Sequence, residues 1–539
     1  MGNIDFTEAL QRGLRPDRRM PVNVPFLTTC TNMRPSPYGL KDFNTVVQPI
    51  TSTELSLVGV TPVWPWPQLF RGKGLSLLFD RIQVFSVTEA PVDDWQLTQL
   101  TTYDAADIGS SSPSTKAITT GGPWHFIDFY DTWMAFNGVS VVFQMGFSST
   151  VWTTNAVTIA TGADYKEARV FYAGFDPTDM YALADWPTFL DSLQGADLPS
   201  EFSAKTLSAG ADSNWVWWST IGGGDLLWLF SLTFMKYASL AAVPTTGFSD
   251  ARYYFKWLWD RNECGLRPLP WQGTVYQMKQ LGDAMMAYGT GGVSALVPSG
   301  GDPATFGLMN PTGWGTRLGI ASRSAIGGSD RGHLVVDEAG ELWGITPDLQ
   351  AQRLGYAEWL APLLGYEIVV SYEPTLDEYY ISNGTTTYLY SESKGFCVAP
   401  YAPTTVSYAD STPVGMIEAS ASPTAVDITS DWFRGGGVGE VWTLNRLRLG
   451  TTDIDASGWS VAIEYRFKDS VAGTSSAAIH PDGRGVATFN LPGLEFRWHL
   501  THDDKASCDL ESVVAELSMD GKISTREWLN ASAPGAATV

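Results

Sequence analysis

The stretch from Arg331 to Tyr401 constrains the fold most. It divides into short apolar-rich runs at His333–Asp337, Glu341–Thr346, Tyr366–Tyr372, Glu378–Ser382 and Thr385–Glu392. Turns fall at Ala339–Gly340, Glu373–Asp377 and Asn383–Gly384. Asn-Gly between β-branched and aromatic residues is a strong hairpin signal, because both residues tolerate the positive φ of a tight turn. No helix of ordinary length fits inside. The stretch predicts four strands of an antiparallel meander and the start of a fifth.

The same turn chemistry recurs upstream, at Asn137-Gly138, in the glycine run Gly222–Gly224, and at Gly289–Gly292. Gly138, Gly223, Gly291, Gly340 and Gly384 are spaced by 85, 68, 49 and 44 residues. The last two spacings match a propeller blade of about 40–50 residues, and the first two call for insertions or one extra blade. A plain β-sandwich with repeated hairpins is the alternative.

Composition agrees with strands and tight turns: 13% aromatic residues, 22 Trp and 53 Gly in 539 residues. There are 34 basic and 57 acidic residues, a net charge of −23, which excludes binding to phosphate backbones by counter-ion release. The bland meaning of that charge is solubility; the sharper one is a surface that lets nucleic acid pass without sticking. Cys30, Cys264, Cys397 and Cys508 are far apart, form no CxxC pair, and predict free buried thiols. The N-terminus carries Arg12, Arg15, Arg18 and Arg19 without an apolar core, so no signal peptide is expected, and Phe6 spoils a myristoylation pattern. Leu226–Phe234, the longest strongly apolar run, is too short to span a bilayer.

In chain order, Met1–Leu14 predicts one short helix. Arg15–Pro49, with six prolines, predicts an extended arm that gains order by packing on its own blades or on a neighbour. Leu75–Val87 alternates as a strand. Meanders are expected from Trp124 to about Asp176, at Trp215–Phe234, and from Val275 to about Tyr401; short helices are expected at Trp186–Leu193 and Arg252–Arg261. After a boundary at Ala402–Thr412, Trp442–Leu449, Trp459–Phe467, Gly485–Asn490, Leu494–Leu500 and Val513–Met519 alternate as a small β-sandwich. The expected fold is all-β: an extended N-terminal arm (1–50), a β-propeller-like domain of antiparallel meanders with loop insertions (51–412), and a C-terminal β-sandwich (413–539).

The segment Asn32-Met33-Arg34-Pro35-Ser36-Pro37-Tyr38-Gly39 resembles the opening arm of tail nozzle proteins of short-tailed bacteriophages. The resemblance covers this arm and, loosely, the meanders. It implies a β-propeller subunit of a virion, assembled in the host cytoplasm into a homo-oligomeric ring, hexameric in that family. The ring would touch tail adaptor and fibre proteins, and DNA would leave through it without sequence-specific binding or membrane insertion by this chain.

Candidate chemistry is thin. Aligning Gly521 with position six of a calcium loop puts Glu516, Ser518 and Asp520 before it and Glu527 at the bidentate place, but the first position lacks Asp and the flank reads as strand; a β-turn through Asp520-Gly521 is the favoured reading. Asp337–Trp343 resembles the Asp-box of sialidase-like propellers but has Val335 and Ala339 where Ser and Gly belong, which favours a blade turn with a packed Trp. Gly435–Gly439 lacks a nucleotide-fold setting, and Arg331 spoils a nucleophile elbow at Gly327–Arg331. His480, His499 and His502 read as separately satisfied histidines. The pairs Asp93/Asp94 and Asp128/Asp131 could serve a glycosidase, though chance pairs are expected among so many acids. No catalytic, cofactor-binding or metal-ligating residue is expected, and therefore no enzyme. The competing function is a glycan-binding or glycan-cleaving propeller using Trp64, Trp66, Trp217 or Trp218 as stacking platforms. Acids at Asp104, Asp107, Asp176, Asp179 and Asp185 are expected on a channel wall if DNA passes through.

Overall fold

The computed structural model describes residues 2–17, 26–41, 43, 48–50, 52–72, 75–90, 94–104, 111–129, 132–144, 150–154, 162–166, 169–173, 215–220, 264–299, 306–315, 317–373, 377–393, 395–400, 403–409, 412–417, 425–437, 439–451, 458–467, 472–502 and 508–522. The chain forms two compact units. A blade unit holds Pro49–Tyr372 and Thr404–Ile417; a composite unit holds Met1–Gln48, Glu373–Pro403 and Glu418–Val539. This division differs from three consecutive domains, because strand pairing draws the N-terminal segment and Glu373–Pro403 together with the C-terminal strands.

The blade unit is a run of four-stranded antiparallel meanders, the β-propeller-like architecture expected. The first blade is Gln68–Gly72, Leu75–Phe79, Val84–Ala90 and Asp94–Gln99. The second is His125–Phe129, Thr132–Phe136, Val141–Gln144 and Val151–Thr154, with Thr102–Asp104 added in parallel at its edge. The third is Gly162–Lys166, Arg169–Ala173, Trp215–Thr220 and Cys264–Pro268. The fourth is Val275–Leu281, Ala284–Gly289, Val293–Pro298 and Phe306–Met309. The fifth is Ile326–Ser329, Gly332–Val336, Leu342–Ile345 and Ala351–Gly355, after which Val369–Glu373 begins.

Blades one and two, and blades four and five, share hydrophobic cores. Leu77, Phe79 and Val84 of the first blade share a core with Trp133, Val142 and Val151 of the second. Met286, Tyr288 and Ala295 of the fourth share one with Ile326, Val335 and Ile345 of the fifth. The first strands of the second, third and fourth blades run beside one another, as strands around a common axis must. A buried chain of hydrogen bonds joins blades four and five: the Tyr288 hydroxyl meets Nδ1 of His333 at 2.7 Å, and Nε2 of His333 meets the Gln280 carbonyl at 2.9 Å. A carbonyl only accepts, so the proton sits on Nε2 and the Tyr288 hydroxyl donates to Nδ1.

Several boundaries differ from expectation. The Arg331–Tyr401 stretch straddles two sheets, because Ile326–Ser329 and Ala351–Gly355 complete the fifth blade around its first two strands. Those two strands are glycine-rich or polar and carry little alternation. Ala357–Leu360 is a short helix in the connection. Leu75–Val87, expected as one strand, is two, Leu75–Phe79 and Val84–Ala90, inside a whole meander whose central turn uses Asp80 and no Asn-Gly. Trp215–Thr220 is the third strand of a sheet that starts at Gly162. The expected helices at Trp186–Leu193 and Arg252–Arg261 lie outside the described residues.

The composite unit contains the expected C-terminal strands in two sheets. One runs in the order Gly2–Asp5, Ser512–Lys522, Glu440–Gly450, Val486–Gly493. In the other, Glu378–Ser382, Thr387–Ser391, Gly395–Ala399, Leu27–Thr31, Val426–Ser430, Glu495–His502 and Trp459–Arg466 lie side by side. Alternating burial gives Trp459–Arg466 one inward face, whereas Thr387–Ser391 is buried on both. Fully buried Trp459 and Trp498 form the centre, and Phe6 packs edge-on against Trp498 and Phe433. The N-terminal arm is thus internal: Leu27–Thr31 lies between Gly395–Ala399, parallel, and Val426–Ser430, antiparallel. Met1–Leu14 is a strand, Gly2–Asp5, followed by the helix Thr7–Arg12.

Candidate functional site

The strands of the blade unit bring one group of polar residues together from segments far apart in sequence. Gly121-Gly122 leads into the second blade at His125. Arg323 precedes the first strand of the fifth blade, and Glu367 precedes Val369–Glu373. Arg323 donates from Nη1 to the Asn137 carbonyl at 3.2 Å. A Cβ on Gly122 would stand 2.2 Å from that nitrogen, so only glycine admits the guanidinium there. Blades two and five are not neighbours in the series, so this side chain joins segments that strand pairing keeps apart.

Glu367 is anchored on the same side. Its Oε1 accepts from the Ser324 amide at 2.9 Å, and its carbonyl accepts from the Trp64 indole at 2.5 Å. Ser322 fixes the segment by exchanging hydrogen bonds with Ile368, donating at 2.8 Å and accepting at 3.0 Å. Burial raises the Glu367 carboxyl above its usual range against the pull of the Ser324 amide and Arg323. Burial also raises the Tyr276 phenol, with Glu367 adding to the rise. His125 is 6% exposed, and its Nε2 has no hydrogen-bond partner among the described residues. Burial lowers its pKa to about 3, helped by the positive charges of Arg323 and Lys279, so the imidazole is neutral at pH 7. Desolvation likewise lowers the Arg323 guanidinium, opposed by Glu367. The arrangement is a desolvated guanidinium, a neutral imidazole and a carboxyl: groups able to grip a polar ligand, without a nucleophile poised beside a base.

The residues singled out from sequence lie elsewhere. Asp520 and Gly521 continue the strand Ser512–Lys522, with Gly521 opposite Val441, so neither a calcium loop nor a β-turn forms there. Glu516 instead forms ion pairs with Arg446 and Arg448, and Asp520 accepts from the Thr443 hydroxyl. Glu527 is outside the described residues. Asp337 accepts at Oδ1 from the amides of Ala339 and Glu341 and at Oδ2 from the Trp343 indole, all at 2.8 Å, the packed blade turn expected. Gly327-Gly328 belongs to the opening strand of blade five. Gly435 and Gly436 lie against the Trp442 ring, where a Cβ would clash. His480 pairs with the Trp459 carbonyl at 2.9 Å, His499 with Asp427 at 2.9 Å, and His502 packs edge-on against Trp459. Among the described residues no three His, Cys, Asp or Glu side chains converge as metal ligands.

Cys30 and Cys397, remote in sequence, are neighbours. The register Thr31↔Val398 places them on adjacent strands; both are buried, and burial with the Cys30 thiol alongside pushes the Cys397 thiol up. Asp104 is paired with Lys116 at 2.9 Å. Asp93, Asp107, Asp131, Asp176, Asp179 and Asp185 lie outside the described residues, as do the side chains of Asp94, Asp128, Trp217 and Trp218. No sequence motif links Gly122, His125, Arg323 and Glu367; only the paired glycines before an apolar strand hint at a close approach.

No family model matches the chain, and no curated protein matches it. Solved structures give distant likenesses. The surface component PorZ of the type-IX secretion system of Porphyromonas gingivalis is 10% identical, with 76% of this chain and 44% of that chain covered and a TM-score of 0.32. This chain therefore spans less than half the length of PorZ. AztD from Citrobacter koseri is 10% identical, covering 66% and 87%, with a TM-score of 0.28. Kluyveromyces lactis Hsv2 is 7% identical, covering 65% and 96%, with a TM-score of 0.26. The fold assignment rests on the strand pairing above.

Proposed function

We propose that the chain is a structural virion protein, a ring-forming nozzle subunit of a bacteriophage tail that lines or closes the DNA exit channel. The observation that carries this reading is the combination of blade-type meanders with an N-terminal arm whose Asn32–Gly39 segment resembles that family's opening arm. The residue types of that segment answer to local demands. Arg34 forms an ion pair with the fully buried Glu378, and Gly39, at φ +120°, passes 2.3 Å from the Leu510 carbonyl as measured from a notional Cβ. The net charge of −23 supports a wall that repels DNA, since a conduit must not trap its cargo. Asp104, neutralised by Lys116, contributes little to such a wall. The ring would meet tail adaptor and fibre proteins through surfaces of its own, with DNA passing without sequence readout.

The glycan reading has less support: the Trp64 indole N–H is already bound to the Glu367 carbonyl, and Trp66 packs on the core between blades one and two. Electron microscopy of the purified full chain separates the readings. Rings with an acidic axial lumen support the nozzle. A monomer that binds or cleaves polysaccharide overturns it, and a neutral or positive lumen removes the argument from charge.

A further inference from the structure

Cys30 lies in Leu27–Thr31, and Cys397 lies in Gly395–Ala399, the parallel neighbour of that strand. Each stands one residue before the register pair Thr31↔Val398, so both project to the face opposite that pair. Burial agrees: Thr31 and Val398 are half-buried, whereas Cys30 and Cys397 are fully buried. Adjacent strands lie about 4.8 Å apart, and a disulfide spans Cα separations of about 4.4–6.8 Å. The Cys30 thiol acts directly on that of Cys397. Cys508 is also buried, but it precedes Asp509–Leu510, which pairs with Leu40 and Lys41 in another sheet.

We propose that Cys30 and Cys397 are a redox-sensitive pair that closes to an intrachain disulfide, with a small disulfide such as oxidised glutathione as the oxidant. One thiolate attacks a glutathione sulfur and expels the first glutathione; the second thiolate attacks the protein sulfur of the mixed disulfide and expels the other. Two S–H bonds and one glutathione S–S bond break, and one protein S–S bond forms. Both protons pass through solvent to the departing thiolates, which leave as two glutathione thiols. Burial and the nearby Glu378 carboxylate disfavour the attacking thiolate, and Arg34 favours it. Cys30 must also release the Met33 carbonyl, to which its Sγ donates at 3.4 Å. Exchange is therefore slow and waits on local opening of the arm. The bond would fasten the arm where hydrogen bonds hold it to the strand of Cys397: the Leu14 amide to the Phe396 carbonyl at 2.7 Å, and the Asn32 amide to the Val398 carbonyl at 3.2 Å. A reducing compartment keeps the pair open, and an oxidising one closes it. The pair lies within one chain, so its closure does not depend on ring formation.

The test exposes the full chain to oxidised glutathione, in native buffer and in urea below the unfolding midpoint. Remaining thiols are then alkylated, and the unreduced digest is weighed by mass spectrometry. Peptides joined through Cys30 and Cys397, lighter by two hydrogens and separated by dithiothreitol, are expected in at least one condition. The oxidised chain should melt at a higher temperature, because the bond closes a very long loop, and should exchange amide hydrogens more slowly in Leu27–Thr31. Cys508→Ala should keep the cross-link, and Cys30→Ala should abolish it. The digest of the unmodified chain gives an answer even if a variant fails to fold. Both thiols recovered alkylated in both conditions would overturn the proposal. So would Cys30 or Cys397 joined instead to Cys264 or Cys508, or reaction that stops at the glutathione adduct.

Discussion

The two units are built from the same element by opposite routes. In the blade unit the four strands of each of the five blades pair in sequence order, with Thr102–Asp104 added out of order at the edge of the second. In the composite unit distant segments share each sheet, and the strand Leu27–Thr31 is interior although it comes from the proline-bearing arm. Glu495, 1% exposed, accepts from both Arg434 and Arg466, and Arg466 also lies 4.0 Å over the Trp432 ring. Glu378, fully buried, is held by Arg34. Both units also leave buried nitrogens without a partner among the described residues, Nε2 of His125 in the blade unit and the indole nitrogens of Trp459 and Trp498 in the composite unit.

The most drastic way to break this contrast is to delete residues 1–39. An arm lying on the surface would leave both units folded. An interior strand predicts that the composite unit loses protection from hydrogen exchange throughout while blades one to five keep theirs. Protected amides in Trp459–Arg466 after the deletion would show that the arm is dispensable. Next in size is Glu495→Gln, which leaves two arginines facing a neutral amide; it should cost about 3–5 kcal/mol in denaturant melts. Arg323→Met should cost far less, because a half-buried side chain loses one hydrogen bond to a backbone carbonyl. Equal losses would contradict that ranking.

Acid should act on the units unequally. His125 and His333 are buried neutral, with folded pKa values below the unfolded 6.5, so the unfolded chain binds more protons between those values. Their contribution to blade stability is complete above about pH 6.5 and falls as pH drops, reaching its limit for His125 near pH 3. The opening free energy of blade amides, taken from exchange rates corrected for their intrinsic pH dependence, should fall from pH 7 to 4; a flat profile would refute the burial argument. Tyr288→Phe removes the donor to His333 Nδ1 and should cost about 1–3 kcal/mol, loosening blades four and five first. The smallest effect has the opposite sign. The hydrogen bond to Asp427 raises the pKa of His499, so its contribution to the composite unit is present below the unfolded pKa and is lost as pH rises through the folded one. NMR titration should place His499 above 6.5, and a value below it would contradict the pairing.

Local chemistry was legible where one short segment decides the outcome. Asn137-Gly138 and Asn383-Gly384 form turns because the Asn side chain accepts from backbone amides two and three residues on. Asp337 does the same and also holds Trp343. The first blade escaped notice because Asp80 replaces the Asn-Gly signal, and Ile326–Ser329 because glycines carry no alternation.

The sequence by itself determined that this chain would be nearly all strands, punctuated by glycine and Asx turns, since side-chain alternation and φ tolerance act over a few residues. Only the tertiary structure decided that Leu27–Thr31 is interior, that Cys30 meets Cys397, and that Arg323 reaches Asn137 past Gly122. Pairing between distant strands depends on which faces the whole chain must bury together, and no window of sequence contains that information.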